Sequence, residues 1–133
     1  IEQQTVFELT QGFRFESLGA REDIYQGVVA TLLELFEMAS EDDGGVRLAV
    51  TLFLLDGGSG RRLTTLWFVE YVVEADAGFS DVVMQGVMDL DAMRLSAILG
   101  RHFRSLGIDS GVEVLHLDIA QLATRHVGLP VTP

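Results

Sequence analysis

The histidines are the first residues in this chain that could do chemistry. His116 and Asp118 stand two positions apart in a segment with strand character, so both side chains would lie on one face. Such a pair could bind a metal ion, or act as a base and the carboxylate that orients it. A zinc site needs further protein ligands, and the chain contains no cysteine to supply one. We therefore expect structural histidines, with no metal and no cofactor.

Paired carboxylates are a second source of chemistry. Glu70 and Glu74 share a face of a predicted strand and could work as acid and base in a cleft, with His116 as a third group. Outward charges that protect a sheet edge explain the same spacing. The glycine-rich segment 57–60 is followed by neither a helix nor a lysine, so it is not a phosphate-binding loop. We predict a non-enzymatic protein, and an enzyme built on these three residues is the least favoured function.

Composition points to a soluble chain that buries apolar surface against a partner. The 133 residues suit a single domain, with 128–133 as a proline-containing tail. Net charge is −11, which argues against nucleic acid and anionic membranes as partners. Yet 48% of the residues are hydrophobic and mean hydropathy is +0.31. With no signal peptide or membrane-spanning run visible, we expect a cytoplasmic or virion location.

A long hairpin organises the chain. Segments 46–55 and 63–74 have the alternation and β-branched content of strands, and the glycine-rich segment between them is typical of a turn. One face of the hairpin would form the core. The other face is also apolar, so we predict that a helix or another subunit covers it. The predicted interface residues on this second face are Phe53, Leu55, Leu66, Phe68 and Val72.

Periodicity assigns most of the remaining segments. Residues 5–18 alternate like a half-buried strand with Gly12 as a possible bulge, and residues 21–40 have the period of an amphipathic helix. Segment 79–90 fits either structure, with a slight preference for strand or irregular backbone. Asp91 predicts an N-cap for a helix over 92–106. Residues 112–118 read as a strand, and 119–126 as a short helix capped by Asp118.

Charge is distributed unevenly along the chain. Residues 1–45 hold ten acidic side chains and two arginines, so they could accept the later arginines within one chain or between neighbours. The acidic helix contributes Glu34 and Glu37. The second helix has a basic strip that could form ion pairs with these glutamates. It consists of Arg94, Arg101 and Arg104.

The element order predicts an α+β fold, with an antiparallel sheet around the hairpin and two main helices on one sheet face. The simplest topology is the ferredoxin-like split β-α-β order. This order is similar to that of small ring-forming viral tail proteins and acidic secretion chaperones. Phe15-Glu16-Ser17 before a long hairpin resembles the export chaperone SecB, although the early helix departs from that pattern.

These observations favour a structural subunit of a homo-oligomer or larger assembly, including a viral tail or connector ring, which binds copies of itself or other subunits. The alternative is an acidic chaperone-like module that binds apolar protein segments through the same face.

Overall fold

The computed structural model describes residues 3–56, 65–88, 90–108 and 112–128. Within these ranges the chain forms six strands and three α-helices. The strands are β1 (Gln3–Ser17), β2 (Asp42–Asp43), β3 (Val46–Asp56), β4 (Thr65–Asp76), β5 (Glu113–Leu117) and β6 (Gln121–Gly128). The helices are α1 (Arg21–Leu35), α2 (Ser80–Met88) and α3 (Ala92–Ser105), with a 3₁₀ turn at Ala77–Phe79 before α2. The predicted tail beyond β6 and the predicted turn residues 57–61 lie outside the described residues.

The strands form one open antiparallel sheet in the order β2-β3-β4-β1-β5, with β6 also paired to β1. The predicted hairpin strands are neighbours, in a register that sets Leu48 opposite Val73 and Leu52 opposite Val69. Both β5 and β6 lie on the far side of β1, β5 beside its second half and β6 beside its first. The fold is therefore mixed α+β with an open sheet and, in the described ranges, three helices.

One face of the sheet forms the core, because alternate residues of β1, β3 and β4 project to the helices. Phe13, Phe15 and Tyr71 are fully buried there. The ring of Phe15 lies 5.9 Å from that of Phe103 on α3, and the ring of Tyr71 lies 5.8 Å from that of Phe36 after α1. Helices and sheet thus share a single hydrophobic cluster.

Helices α1 and α3 approach closely because α1 has a glycine at their contact. A Cβ atom added at Gly27 would lie 2.2 Å from the ring of Phe103. That ring is fully buried and fills the space left by the missing side chain. Close packing of this kind leaves no room for a larger residue.

Helix α1 is shorter than the predicted range 21–40. It ends at Leu35, and Glu37 adopts a left-handed backbone with φ of 53°. The last turn contains no basic residue. Acidic residues are unfavourable at the negative end of a helix. Glu37 and the acidic residues that follow it therefore favour an end at Leu35, although the apolar periodicity in the sequence continues to residue 40.

The preference for strand or irregular backbone over 79–90 is wrong, because this segment contains α2. Gly86, which looked like a break in a strand, is a contact point between helices. A Cβ atom there would lie 2.8 Å from the carbonyl oxygen of Leu35 and 2.6 Å from the ring of Phe36. The glycine therefore lets α2 rest on the end of α1.

The helix predicted over 119–126 is also wrong, because residues 121–128 form β6. This strand pairs with the first half of β1, whose backbone needs a partner on that side. The link before it is fixed by two hydrogen bonds. The Asp118 N–H donates to the carbonyl of Gly12 at 2.8 Å, and the Gln11 side chain donates to the carbonyl of Asp118 at 2.9 Å.

Candidate interaction surface

The sheet face opposite the helices is the strongest candidate for a functional surface, and we call it the outer face. It carries the second set of alternating side chains from β1, β3 and β4. In the described parts of the chain, all three helices contribute to the core on the other face. No helix of the described ranges is long and apolar enough to cross a membrane.

An aromatic pair lies on the outer face, near the end of β3 and the start of β4. Phe53 of β3 and Phe68 of β4 are direct partners in the strand register, with ring centroids 5.8 Å apart and planes inclined by 29°. Phe53 is 44% exposed and Phe68 is partly buried. Leu66 and Val72, two further predicted interface residues, are partly buried on the same strand. Four of the five predicted apolar residues thus share this face.

Leu55 differs from the other four because the register shifts beside it. Pairing passes from Leu54 with Trp67 to Asp56 with Leu66, so Leu55 has no direct partner on β4. A shift of this kind interrupts strict alternation. Leu55 is 48% exposed, and Leu54, which the sequence pattern places in the core, is 52% exposed. The end of β3 is consequently apolar and exposed on both of its sides.

Gly12 forms the floor of a hollow of about 260 Å³ on the outer face. The far ends of Phe68 and Asp118 would lie 2.9 Å and 2.8 Å from a Cβ atom added at this glycine. The pairing of β1 with β4 runs through Gly12 without a shift, so the predicted bulge is not there. The irregularity instead separates Arg14 from Phe15, on the β5 side.

The two carboxylates proposed as an acid–base pair line separate hollows. Glu70 borders the hollow above Gly12, whereas Glu74 borders a second hollow of about 430 Å³. Glu74 also lies 3.6 Å from the guanidinium of Arg47. His116 is 2.8 Å from Asp118, and both are largely exposed. Glu70, Glu74 and His116 therefore do not line one cavity, and the described residues include no metal-binding group of three His, Asp or Glu.

The predicted acid–arginine contact occurs within one chain. Glu34 of α1 receives the guanidinium of Arg101 on one oxygen, and His102 lies 3.2 Å from its other oxygen. Both partners belong to α3, so this contact joins the two helices across their exposed side. An exposed contact of this type contributes little to stability, about 1 kcal/mol or less.

The other members of the predicted ionic set are not part of that contact. Glu37 and Arg94 line a cleft of about 510 Å³ between the three helices, together with Asp81 and Gln85. Arg104 is exposed. The basic strip therefore divides into one residue that pairs inside the chain and two that remain open to solvent.

Sequence reasoning missed a buried polar pair beneath the outer face. The Tyr71 hydroxyl donates to the side-chain oxygen of Gln11, and both residues are buried. Burial raises the pKa of Tyr71 above its ordinary value. A glutamine within an otherwise apolar alternation was the available signal, since a buried amide needs partners.

No protein-family model matches the sequence, and no curated protein matches it. The solved structures that resemble it include the full extracellular region of zebrafish Gpr126/Adgrg6, at 13% identity and a TM-score of 0.43 over 90% of this chain and 13% of that one. They also include AtUAH in complex with glyoxylate, at 11% identity and a TM-score of 0.41 over 90% of this chain and 30% of that one. An amidase of the hydantoinase/carbamoylase family from Burkholderia vietnamiensis matches at 11% identity and a TM-score of 0.40, over 90% and 29% respectively. This chain spans less than a third of each, and at these TM-scores we assign neither a fold family nor an activity.

Proposed function

We propose that this chain is a non-enzymatic structural subunit that assembles with copies of itself into a homo-oligomer or larger complex through the outer face. The observation that carries the proposal is the Phe53–Phe68 pair, which is apolar, in register and partly exposed on a face that the described helices leave uncovered. Burying a large apolar side chain completely contributes roughly 1.5–3 kcal/mol. Side chains that are about half exposed in one chain can gain part of this free energy when association buries the rest of their surface.

Charges on the outer face favour one relative orientation of two copies. Arg14 and Arg47 lie on the outer face among acidic side chains such as Glu70 and Glu74. Mixed charges at the rim of an apolar patch select the register of association more than they add affinity. On the helix side, Arg94 and Arg104 are the arginines available to contact an acidic patch of a neighbour.

We also propose that the fold is a variant of the ferredoxin-like split β-α-β plan. The strand order β3-β4-β1-β5 supports this proposal. Strand β1 is connected through α1 to β3, and β4 lies between β1 and β3 in the sheet, as in that plan. The short β2, the second helix before β5 and the terminal β6 are additions to that plan.

Measuring the native mass tests the assembly directly. Light scattering on purified protein should give a multiple of the 14.6 kDa chain mass. Phe68→Glu and Phe53→Glu should each lower the measured mass, because a charge would then need to be desolvated inside the interface. The matched control is Met93→Glu, which adds the same charge at an 82% exposed apolar residue on α3 and should leave the assembly intact.

Circular dichroism on each variant establishes that the fold is retained. A wild-type chain that stays monomeric at high concentration contradicts the proposal, as does an assembly that survives both outer-face substitutions.

A binding module for apolar segments is the second candidate, favoured by the two hollows on the outer face. Side chains of an extended segment could occupy them, as alternate residues do when a peptide lies on a sheet. A monomer that captures an unfolded protein, and loses this capture in Phe68→Glu but not in Met93→Glu, would support this function over assembly.

A further inference from the structure

Strand β3 forms one edge of the sheet, and in the described ranges only its first residues have a strand partner there. The two-residue strand β2 pairs with Val46 and Arg47, and the N–H of Leu48 donates to the carbonyl of Glu41 at 2.7 Å. In the described ranges, the rest of β3 has β4 as its only strand neighbour.

The direction of the backbone groups along this edge follows from two hydrogen bonds. The Leu48 N–H and the Leu52 carbonyl both bond to groups outside β4, the latter to the guanidinium of Arg21 at 2.7 Å. In an antiparallel strand the N–H and C=O of one residue point to the same side, and successive residues alternate. The backbone groups of Val50, Leu52 and Leu54 are therefore directed away from β4, where another strand could meet them.

The side chains along this edge are suited to contact with an identical strand. Residues 48–55 include no ionisable side chain, so two copies of β3 can approach despite the net charge of −11 on each chain. At the end of the strand, Phe53, Leu54 and Leu55 are all exposed. An exposed apolar edge with unpaired backbone groups is a template for pairing with another strand.

We infer that β3 pairs antiparallel with β3 of a second copy about a two-fold axis, so that one sheet runs through both chains. This inference rests on the proposed function, since it adds a second contact between copies that assemble through the outer face. A two-fold axis perpendicular to the sheet sets the outer faces of both chains on the same side, which makes one apolar surface of the two Phe53–Phe68 pairs. An isologous contact of this kind also requires an even number of subunits.

Arg21 is the residue that competes with this pairing. Its guanidinium occupies the carbonyl of Leu52, which a neighbouring strand would otherwise use. Charged side chains at an exposed edge are a common way to limit strand addition. Removing this side chain should therefore favour association, although Arg21 lies outside the predicted interface.

The substitution Leu54→Pro tests this pairing of β3 with β3 of the second copy, which we call the seam. Leu54 is 52% exposed and its N–H is directed away from β4, so Leu54→Pro removes an edge donor without removing a bond of the β3–β4 ladder. The matched control Leu54→Ala shortens the same side chain but keeps the N–H. We expect the dissociation constant, from sedimentation, to rise about tenfold or more in Leu54→Pro relative to Leu54→Ala, because both copies lose a hydrogen bond. In Arg21→Ala we expect it to fall.

Amide hydrogen exchange provides a readout that does not depend on the variants. The amides of Val50, Leu52 and Leu54 should become protected as the protein concentration rises, while those of Thr51 and Phe53, directed to β4, should change less. If Leu54→Pro associates as tightly as Leu54→Ala, or the native particle has an odd number of subunits, the seam is contradicted. Should Phe68→Glu still disperse that particle, the proposed function stands without the seam. A monomeric wild type overturns both.

Discussion

The two faces of the central sheet use similar residues and have different surroundings. On β4, Val69, Tyr71 and Val73 project to the helices and are buried, whereas Phe68 and Val72 project to the other side and are partly exposed. Both sets are apolar, so hydrophobicity along a strand does not itself identify the face that the chain covers. The difference arises because the helices of the described ranges pack on one side only. Three pairs of substitutions test whether the two faces differ in this way.

The largest expected effect separates two phenylalanines on opposite faces. Phe13 is fully buried, and Phe13→Ala should lower the free energy of unfolding by about 3–5 kcal/mol, because it removes apolar contacts and leaves a cavity. Phe53→Ala should cost about 1 kcal/mol or less under conditions where the chain is monomeric. Urea unfolding of both variants measures the difference, and equal losses would show that the outer face is covered in the isolated chain.

Tyr71 provides an intermediate effect. Tyr71→Phe leaves the buried oxygen of Gln11 without its donor and should cost about 1–3 kcal/mol. The control is Tyr25→Phe, because Tyr25 of α1 is only partly buried and lines a surface hollow. Urea midpoints near neutral pH compare the two variants, and a loss no larger in Tyr71→Phe than in Tyr25→Phe would contradict a structural role for the pair.

The same tyrosine makes stability depend on alkaline pH. Burial raises the pKa of Tyr71 in the folded chain, whereas an unfolded tyrosine ionises near pH ~10. Unfolding therefore releases a proton once the pH exceeds about 10, so this contribution to stability is complete below that pH and is lost as the pH rises towards the folded-state pKa. The midpoint should fall less steeply above pH ~10 in Tyr71→Phe than in wild type.

The smallest expected effect belongs to Gly12, one of two glycines in contact with aromatic rings. Gly27→Ala should cost about 1–3 kcal/mol, because the buried ring of Phe103 cannot move away from a new Cβ atom. Gly12→Ala meets only the far ends of Phe68 and Asp118, which border the open hollow and can shift. Thermal unfolding should therefore show a smaller loss for Gly12→Ala. A larger loss there would mean that the outer face is as rigid as the core.

Sequence pattern predicted the elements whose residues have one dominant environment. The hairpin strands, the first strand and the helix capped by Asp91 are confirmed, since their periodicity reflects one buried side, and the Asp91 side chain accepts from the N–H of Arg94 as an N-cap should. Segments 79–90 and 119–126 were assigned wrongly because their structure is set by distant contacts, namely Gly86 on the end of α1 and β6 on β1.

The candidate surface was predictable only in part. Alternation places Phe53 and Phe68 on one face, but it cannot reveal the register shift beside Leu55 or the exposure of Leu54, since both depend on how the end of β3 pairs and packs in the folded chain. The contact of Glu34 with Arg101 was one of two arrangements that the charges allowed. Choosing between them required the relative placement of α1 and α3.

The bond from Arg21 to the Leu52 carbonyl also affects how an affinity for the seam would be read. The β3 strand of a second copy can pair only while the Leu52 carbonyl is free of Arg21. The binding-competent form is therefore only a fraction of the molecules. The measured constant is then weaker than the intrinsic one by that fraction. Any ligand, substitution or solvent that draws the arginine elsewhere would strengthen association without touching the joined strands.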